Sequence, residues 1–244
     1  AAAAFFGVGA ALLSNILSNL ITYGISLFRL QFLFKAKESN LTISRTRALG
    51  YSIPAIVTTL GLTAIYTQDV LLVKHFFTAQ TAGIYSSLSI LGKVIFYASS
   101  ALSFVLFPVV AEMSELKQKH HKIVYTGLTA IGGISLVLTI FYFAFPRIVV
   151  DLLFGRAYYG AIPYLGYFGL FISFFSLSSL LINVCLASGR TRVSVIAVFG
   201  ALFQAMLIFF YHQTLFTVVF IHLAVSGGLF FSLLLYYSYE KKQT

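Results

Sequence analysis

The chain has 244 residues, of which 59% are hydrophobic and only 9% are charged, and its formal net charge is +10 at pH 7. A soluble domain carries about 25% charged residues, so this chain has too few to cover a water-facing surface. Its repeated apolar runs, of about 18 residues or more, are typical of transmembrane helices. The composition therefore predicts an all-α integral membrane protein.

The excess of basic residues does not indicate a nucleic-acid partner, because these residues cluster in the short loops between apolar runs. The single cysteine, Cys185, excludes a disulfide or a cysteine zinc site within the chain. The sequence has no glycine-rich phosphate loop, no HExxH and no GxSxG, and it contains only six acidic residues. We therefore expect neither enzyme activity nor a metal site built from carboxylates.

About seven apolar segments follow one another along the chain. The predicted spans cover residues 2–34, 48–77, 83–111, 123–145, 164–187, 193–211 and 217–239. Pro54 lies in the second turn of the second span and is expected to bend it. Segment 146–163 is too short and too rich in glycine and proline to span, so we expect a bent or short helical piece at the membrane interface. With no initiator methionine or signal-peptide pattern, the chain is expected to be the C-terminal part of a larger protein.

The distribution of lysine and arginine predicts the orientation of these spans. One set of alternate loops holds Lys35, Lys37, Arg45, Arg47, Lys117, Lys119, Lys122, Arg190, Arg192, Lys241 and Lys242. The opposite loops hold only Arg147 and Arg156. Basic residues are retained preferentially on the cytoplasmic side of a membrane. Loops 35–47, 112–122 and 188–192 and the C-terminus are therefore predicted to be cytoplasmic in a multi-pass protein.

Asp69, Lys74 and Lys93 lie in the apolar hairpin formed by the second and third spans. Charges at membrane depth are costly and usually face a bundle interior or a water-filled cavity. If the turn covers Thr78–Gly83, Asp69 and Lys93 both lie about 12–14 Å from it, at 1.5 Å per residue. This equal depth predicts either a structural ion pair or a cavity-facing pair that meets a charged substrate or a coupling ion.

The other polar residues of the spans have more than one interpretation. Lys93 in a dry cavity would attract a phosphate or pyrophosphate group as a point charge. Lys74 and Arg29 lie near helix ends, so we expect them to snorkel to the headgroups, with a substrate contact as the alternative. For several histidines, amides and tyrosines, structural contacts are the default expectation. The alternatives are proton transfer by the histidines, a polar cavity lined by the amides, and stacking of the tyrosines on sugar rings. These residues are His75, His212, His222, Asn15, Asn19, Gln68, Asn183, Gln204, Tyr66, Tyr85 and Tyr97.

Five segments carry a resemblance to a known family: QDVLLVKHFF, AGIYSSLSILGKVIF, FPVVAEMSE, FPRIVVDLLFGRAYYGAIPYL and ASGRTR. They resemble the polysaccharide-biosynthesis flippases of the multidrug, oligosaccharidyl-lipid and polysaccharide exporter superfamily. The resemblance implies two six-helix lobes. Residues 1–34 would then be the last helix of the first lobe, 35–47 the cytoplasmic linker between lobes, and 48–244 the second lobe.

The resemblance also implies a function. Family members move lipid-diphosphate-linked oligosaccharides across the inner membrane by alternating access around a basic cavity. Lys93 would belong to that cavity, and Asp69 would hold it in place or respond to a coupling proton or sodium ion. No other cofactor is implied. The implied partners are the lipid-linked glycan, membrane lipids and a polysaccharide polymerase or glycosyltransferases.

Two alternatives to a flippase remain open at this point. One is a cation-coupled multidrug antiporter that uses Asp69 as its ion site. A lysine at the depth of Asp69 disfavours this alternative, because it suits an anionic substrate better than a cationic drug. The other alternative is a membrane scaffold without transport activity, whose signature would be Asp69 and Lys93 facing each other in a dry interface.

Overall fold

The computed structural model describes residues 2–29 and 45–241 of the chain. Within these ranges, every regular element is a helix. The predicted all-α membrane fold is therefore confirmed. The chain divides into two compact units, Ala1–Arg45 and Thr46–Thr244. This division falls in the predicted linker, while the assignment of the two units to lobes of a transporter stays a prediction.

The first unit contains helix α1, Ala2–Arg29, which has 28 residues. At 1.5 Å per residue this helix is about 42 Å long, which exceeds the hydrocarbon thickness of about 30 Å. The predicted end of the first span, at Phe34, lies outside the described residues. Residues 35–44 of the predicted linker lie outside them as well.

The second unit consists of eight described α-helices and a 3-10 helix at Arg156–Ala161. The α-helices are α2 Arg45–Ile65, α3 Gln68–Phe76, α4 Ala79–Glu115, α5 His121–Ala144, α6 Pro146–Leu153, α7 Ile162–Ala187, α8 Val193–Phe210 and α9 Leu215–Lys241. Among the described residues, five helices are long and apolar enough to cross a membrane, or six if α2 and α3 form one broken span. Helix α1 lies within the remaining predicted span and is not among these helices, so a seventh span stays a prediction.

Helix α7 is the central helix of the second unit. It packs against α4, α5 and α9, and 67% of its apolar stretch is buried, against 22–39% in the other four spans. Its buried face carries Phe168, Phe171 and Phe175. A Cβ atom at Gly92 of α4 would lie 2.5 Å from the Phe168 ring. Since small residues allow the close packing that holds membrane helices together, Gly92 allows α4 to approach α7.

The predicted second span is divided into α2 and α3 by a break at Tyr66–Thr67, where the helix direction changes by 41°. Helix α2 continues through Pro54 as one helix. The break therefore lies about three turns beyond the proline at which the sequence predicts a bend. Because a break frees backbone carbonyl groups from their intrahelical partners, these groups need other donors in an apolar environment.

Two glutamines supply hydrogen bonds at this break. The amide of Gln204 on α8 donates to the carbonyl of Ile65 at 2.7 Å. In return, the amide of Gln68 donates to the carbonyl of Ala201 on α8 at 2.9 Å. Gly61 allows the two helices to approach, since a Cβ atom there would lie 3.2 Å from the α8 backbone. We call Gln68 and Gln204 the amide clamp, because together they hold the start of α3 against α8.

The hairpin turn between α3 and α4 is shorter than the sequence predicts. Helix α3 ends at Phe76 and α4 begins at Ala79, with Thr78 as its N-cap residue. The Thr78 hydroxyl accepts a hydrogen bond from the backbone N–H three residues later, at 3.3 Å. An N-cap side chain of this kind satisfies an amide group that a helix start leaves free. The predicted turn Thr78–Gly83 is therefore wrong, since most of it is the first turn of α4.

The predicted bent helical piece at residues 146–163 is confirmed. It consists of α6, Pro146–Leu153, and the 3-10 helix Arg156–Ala161. Gly155 joins them with a φ of +81°, a conformation that glycine adopts without the steric cost of a Cβ atom. Its location at the membrane interface stays a prediction.

Candidate functional site

The side chain of Asp69, in the first turn of α3, is completely buried. The hydroxyl of Tyr85 on α4 donates a hydrogen bond to Asp69 Oδ2 at 2.8 Å. The Nε2 atom of His222 on α9 lies 3.9 Å from the same oxygen. All three side chains are 0% exposed. We call them the Asp69 cluster, which brings together three helices inside the second unit.

Aromatic side chains of α7 enclose the Asp69 cluster. The ring centroid of Phe171 lies 4.9 Å from that of His222. Phe168 packs edge-on against Tyr85, with 5.8 Å between the ring centroids. Because these rings exclude water, charges in the cluster are poorly screened and depend on one another for compensation.

The Asp69 cluster has unused hydrogen-bonding capacity. Among the described residues, neither Asp69 Oδ1 nor the two ring nitrogens of His222 have a hydrogen-bond partner. A buried polar atom without a partner costs about 1–3 kcal/mol, so the arrangement is a poor way to stabilise a fold. A single proton moving between the carboxylate and the imidazole leaves the pair neutral overall in either form. The cluster is therefore suited to bind and release a proton or a small monovalent cation at Asp69.

Lys93 does not reach the Asp69 cluster. Because α4 begins at Ala79, Lys93 lies about 21 Å along this helix from its start, whereas Tyr85 lies about 9 Å from it. In the described part of the chain, the basic side chain that lies within 4 Å of the Asp69 carboxylate is His222. The prediction that Asp69 and Lys93 lie at equal depth is therefore wrong, because it assumed a longer turn before α4.

Lys93 lies instead on a half-buried polar stripe of α4. Ser86 and Ser100 lie seven residues before and after it, and all three side chains are half-buried. Residues at this spacing share one face of a helix. Beside them, Ile90 is 52% and Val94 is 47% exposed. A lysine facing lipid costs about 2.5–3.5 kcal/mol, so this face, the α4 polar stripe, is better suited to contact water or protein.

Lys74 lies near one end of the α4 polar stripe. It is exposed, and it lines a groove of about 340 Å³ between α3 and α4 together with Ser86. Lys93 lies about 10 Å further along α4 than Ser86. The structure therefore brings Lys74 to the stripe that carries Lys93. Snorkelling of Lys74 to the headgroups stays a prediction.

Arg29 is the last residue of α1 and is exposed. It follows a row of polar side chains at helical spacing, Asn15, Asn19, Thr22 and Ser26. The Asn19 amide donates to Asn15 Oδ1 at 2.8 Å, and the hydroxyls of Thr22 and Ser26 donate to carbonyls one turn earlier. These polar side chains therefore find their hydrogen-bond partners within α1 itself. The role of Arg29 as a lipid or substrate contact stays a prediction.

Tyr85 and His222 are candidates that the sequence alone does not single out. Structural contacts are the default expectation for both, yet they are the two side chains that lie against the carboxylate of Asp69. For His222, a usable signal is present in the sequence VVFIHLAVSGG, because an ionisable residue inside a span is a functional candidate by default. Among the described residues, no group of three or more His, Cys, Asp or Glu side chains is arranged to hold a metal ion.

One protein family has a model that matches this chain. The family is described as polysaccharide biosynthesis protein, and the match covers residues 1–163 of the 244. The matched region includes Asp69, Tyr85 and Lys93, and it ends before the helix that carries His222. No curated protein and no solved structure matches the chain.

Proposed function

We propose that this chain, which belongs to the polysaccharide biosynthesis protein family, is part of a flippase that moves a lipid-diphosphate-linked oligosaccharide across a membrane by alternating access. Its family and its apolar helices identify a membrane protein of polysaccharide biosynthesis. The Asp69 cluster is the observation that supports assigning a flippase within this class. It contains a fully buried carboxylate with an oxygen atom that has no hydrogen-bond partner among the described residues. Ionisable groups at membrane depth mark ion and substrate pathways. The proposal includes no enzymatic reaction.

In this proposal, two faces of α4 have different tasks. The face with Tyr85 contacts Asp69, and the α4 polar stripe with Lys93 faces the substrate path. Lys74 lies where this path meets α3. A lysine attracts a diphosphate group as a point charge. Because both faces belong to one helix, a change in the Asp69–Tyr85 contact also shifts the substrate-facing side of α4.

A proton is the coupling ion that the geometry supports best. When Asp69 binds a proton, it loses the charge-assisted part of its hydrogen bond with Tyr85. The contact of α3 with α4 then weakens. Proton binding and release thus favour different arrangements of these helices, as a coupled transporter requires. A sodium ion at Asp69 Oδ1 is the alternative.

The proposed location and partners follow from this function. The protein would lie in the inner, cytoplasmic membrane, with loops 35–47, 112–122 and 188–192 and the C-terminus in the cytoplasm, as the basic residues predict. Glycosyltransferases would supply the lipid-linked glycan, and a polysaccharide polymerase would consume it.

A transport assay with the full-length protein in proteoliposomes tests the proposal. A labelled lipid-diphosphate oligosaccharide is placed in one leaflet, and a pH gradient is applied. We expect gradient-driven movement of the glycolipid that falls about tenfold or more in Asp69→Asn, which removes a charge-assisted hydrogen bond. Asp151→Asn, at an exposed aspartate of α6, is the matched control and should retain activity. Gradient-driven movement that Asp69→Asn leaves intact would remove Asp69 from the coupling.

The substrate side of the proposal is tested by Lys93. We expect Lys93→Ala to reduce flipping severalfold and Lys93→Arg to retain part of it, because the charge attracts the diphosphate. Lys122→Ala, at an exposed lysine near the start of α5, is the control. Equal and full activity in both Lys93 variants would remove this residue from the substrate path.

One observation keeps a cation-coupled multidrug antiporter as the second candidate. Since Lys93 does not lie at the depth of Asp69, it no longer counts against a cationic substrate near this carboxylate. Proton-driven efflux of a cationic dye, without glycolipid movement, would favour this candidate. The scaffold alternative has less support, because the contacts of Asp69 are with Tyr85 and His222 and not with Lys93.

A further inference from the structure

A second polar site lies where the loop between α4 and α5 meets the loop between α7 and α8. The two loops enclose a pocket of about 670 Å³. Its lining includes Lys117, Lys119, His120, His121 and Arg190, and no carboxylate is among the described residues that line it. We call it the basic pocket. Its two loops belong to the set of loops that the sequence predicts to be cytoplasmic.

His120 is the buried residue of the basic pocket. It is 8% exposed and precedes the first residue of α5, which begins at His121. Among the described residues, neither of its ring nitrogens has a hydrogen-bond partner, and its side chain does not cap α5. The N-terminus of a helix favours anions through its free amide groups and its dipole. The Gln118 carbonyl can engage at most one ring nitrogen, so a buried imidazole with an unused nitrogen at this position is a second, independent sign of a ligand site.

Burial and the neighbouring groups both act on the titration of His120. Burial lowers the pKa of His120, the Arg190 charge acts in the same direction, and the nearby Gln118 carbonyl opposes both. The other titratable groups that face the pocket are Lys117, Lys119 and His121, whose Nδ1 atom lies 2.9 Å from the Tyr237 hydroxyl. An anion beside the imidazole favours its protonated form. Anion binding is therefore expected to be accompanied by proton uptake at His120.

We propose that the basic pocket binds a phosphate-bearing anion, either a phosphomonoester or a diphosphate. Lysine and arginine side chains supply the charge, and His120 and the α5 N-terminus supply hydrogen-bond donors inside the pocket. The same chemistry is offered by the headgroup of an anionic lipid and by a free phosphate compound in water. The site does not depend on the proposed flippase function, because it uses none of the residues of the Asp69 cluster or of the α4 polar stripe.

Binding to the full-length protein tests this inference with two probes. Inorganic pyrophosphate is titrated into detergent-solubilised protein and followed by phosphorus NMR line broadening. Spin-labelled phosphatidylglycerol in phosphatidylcholine nanodiscs reports the immobilised lipid fraction. We expect Lys119→Gln and Arg190→Gln each to weaken binding of at least one probe about tenfold. The matched controls Lys122→Gln and Arg192→Gln, at exposed basic residues outside the pocket lining, should leave binding unchanged.

The two probes distinguish a soluble phosphate compound from an anionic lipid headgroup. Pocket-dependent binding of pyrophosphate identifies a soluble phosphate compound, and pocket-dependent immobilisation of phosphatidylglycerol alone identifies a lipid headgroup. The ratio of wild-type to His120→Gln affinity should rise from about pH 7.5 to about pH 5.5, a comparison in which the protonation of the probe itself cancels. No binding of either probe, or equal losses in the pocket and control variants, would overturn the proposal. Lys119 is exposed, so its variant keeps the test valid if Arg190→Gln does not fold.

Discussion

Two buried histidines of this protein lie in opposite electrostatic surroundings. His222 lies 3.9 Å from the carboxylate of Asp69 and beside aromatic rings. His120 lies in a pocket lined by lysine and arginine side chains without a carboxylate among its described lining residues. Both imidazoles have ring nitrogens without hydrogen-bond partners among the described residues. The comparison teaches that the sign of the neighbouring charges, and not burial itself, decides whether such a histidine suits a cation site or an anion site.

The two sites also differ in what can compensate a charge. The Asp69 cluster is enclosed by helices, so any charge there must be balanced by another side chain or by a bound ion. The basic pocket lies between loops, where water and lipid headgroups share this task. Removing one partner should therefore have a larger effect in the Asp69 cluster than in the basic pocket.

The largest effect is expected from breaking the buried pair. Asp69→Leu should lower the free energy of unfolding by about 3 kcal/mol, because it leaves the buried Tyr85 hydroxyl without its acceptor and the His222 imidazole without its polar neighbour. The double variant Asp69→Leu/His222→Phe should regain much of this stability and still fail to couple transport to the proton gradient. Thermal unfolding in detergent, beside the transport assay, measures both. A double variant that is less stable than Asp69→Leu would show that the two side chains do not act as a pair.

A smaller effect is expected from Tyr85→Phe, which removes the hydrogen bond to Asp69 but keeps the ring. A hydrogen bond to a charged group contributes about 1.5–3 kcal/mol. The coupled transport rate should therefore fall by about tenfold or more. Tyr211→Phe, at an exposed tyrosine after α8, is the control. Equal rates in the two variants would mean that the Tyr85 hydroxyl takes no part in coupling.

The smallest effect is expected from salt, and it should separate the two sites. Raising the ionic strength from about 0.1 M to about 0.5 M should weaken pyrophosphate binding by the basic pocket severalfold, because its lysines are exposed to screening. The stability difference between the wild-type protein and Asp69→Leu should change little, since the Asp69 cluster is buried. A strong salt dependence of that stability difference would contradict its enclosure.

The helical class and most spans could be predicted because an apolar run of membrane length is a local property of the sequence. The turn before α4 was misplaced because the segment Ala79–Gly83 contains threonine and glycine, which suit a turn as well as a first helical turn. The capping hydrogen bond of Thr78 decides between these, and only the structure displays it.

The Asp69 cluster could be predicted only in part. Asp69 stands out in the sequence as a carboxylate within a span. Its pairing with His222 could not be predicted, because the two residues lie on helices at distant positions in the chain and no spacing rule connects them. The break at Tyr66–Thr67 was equally unpredictable, since neither residue is a proline or glycine and the clamp partner Gln204 lies on α8.

The break before α3 and the short turn after it make α3 a short segment that can rotate as a rigid helix. This helix has nine residues and is joined to α2 and α4 by short breaks at its two ends. The amide clamp holds the first residue of α3 against α8, so the break is the expected hinge. Asp69 lies beside this hinge, and Lys74 lies about 7–8 Å further along α3. If the proposed protonation of Asp69 rotates α3, Lys74 is expected to move further than Asp69, and the groove that Lys74 lines would change its width.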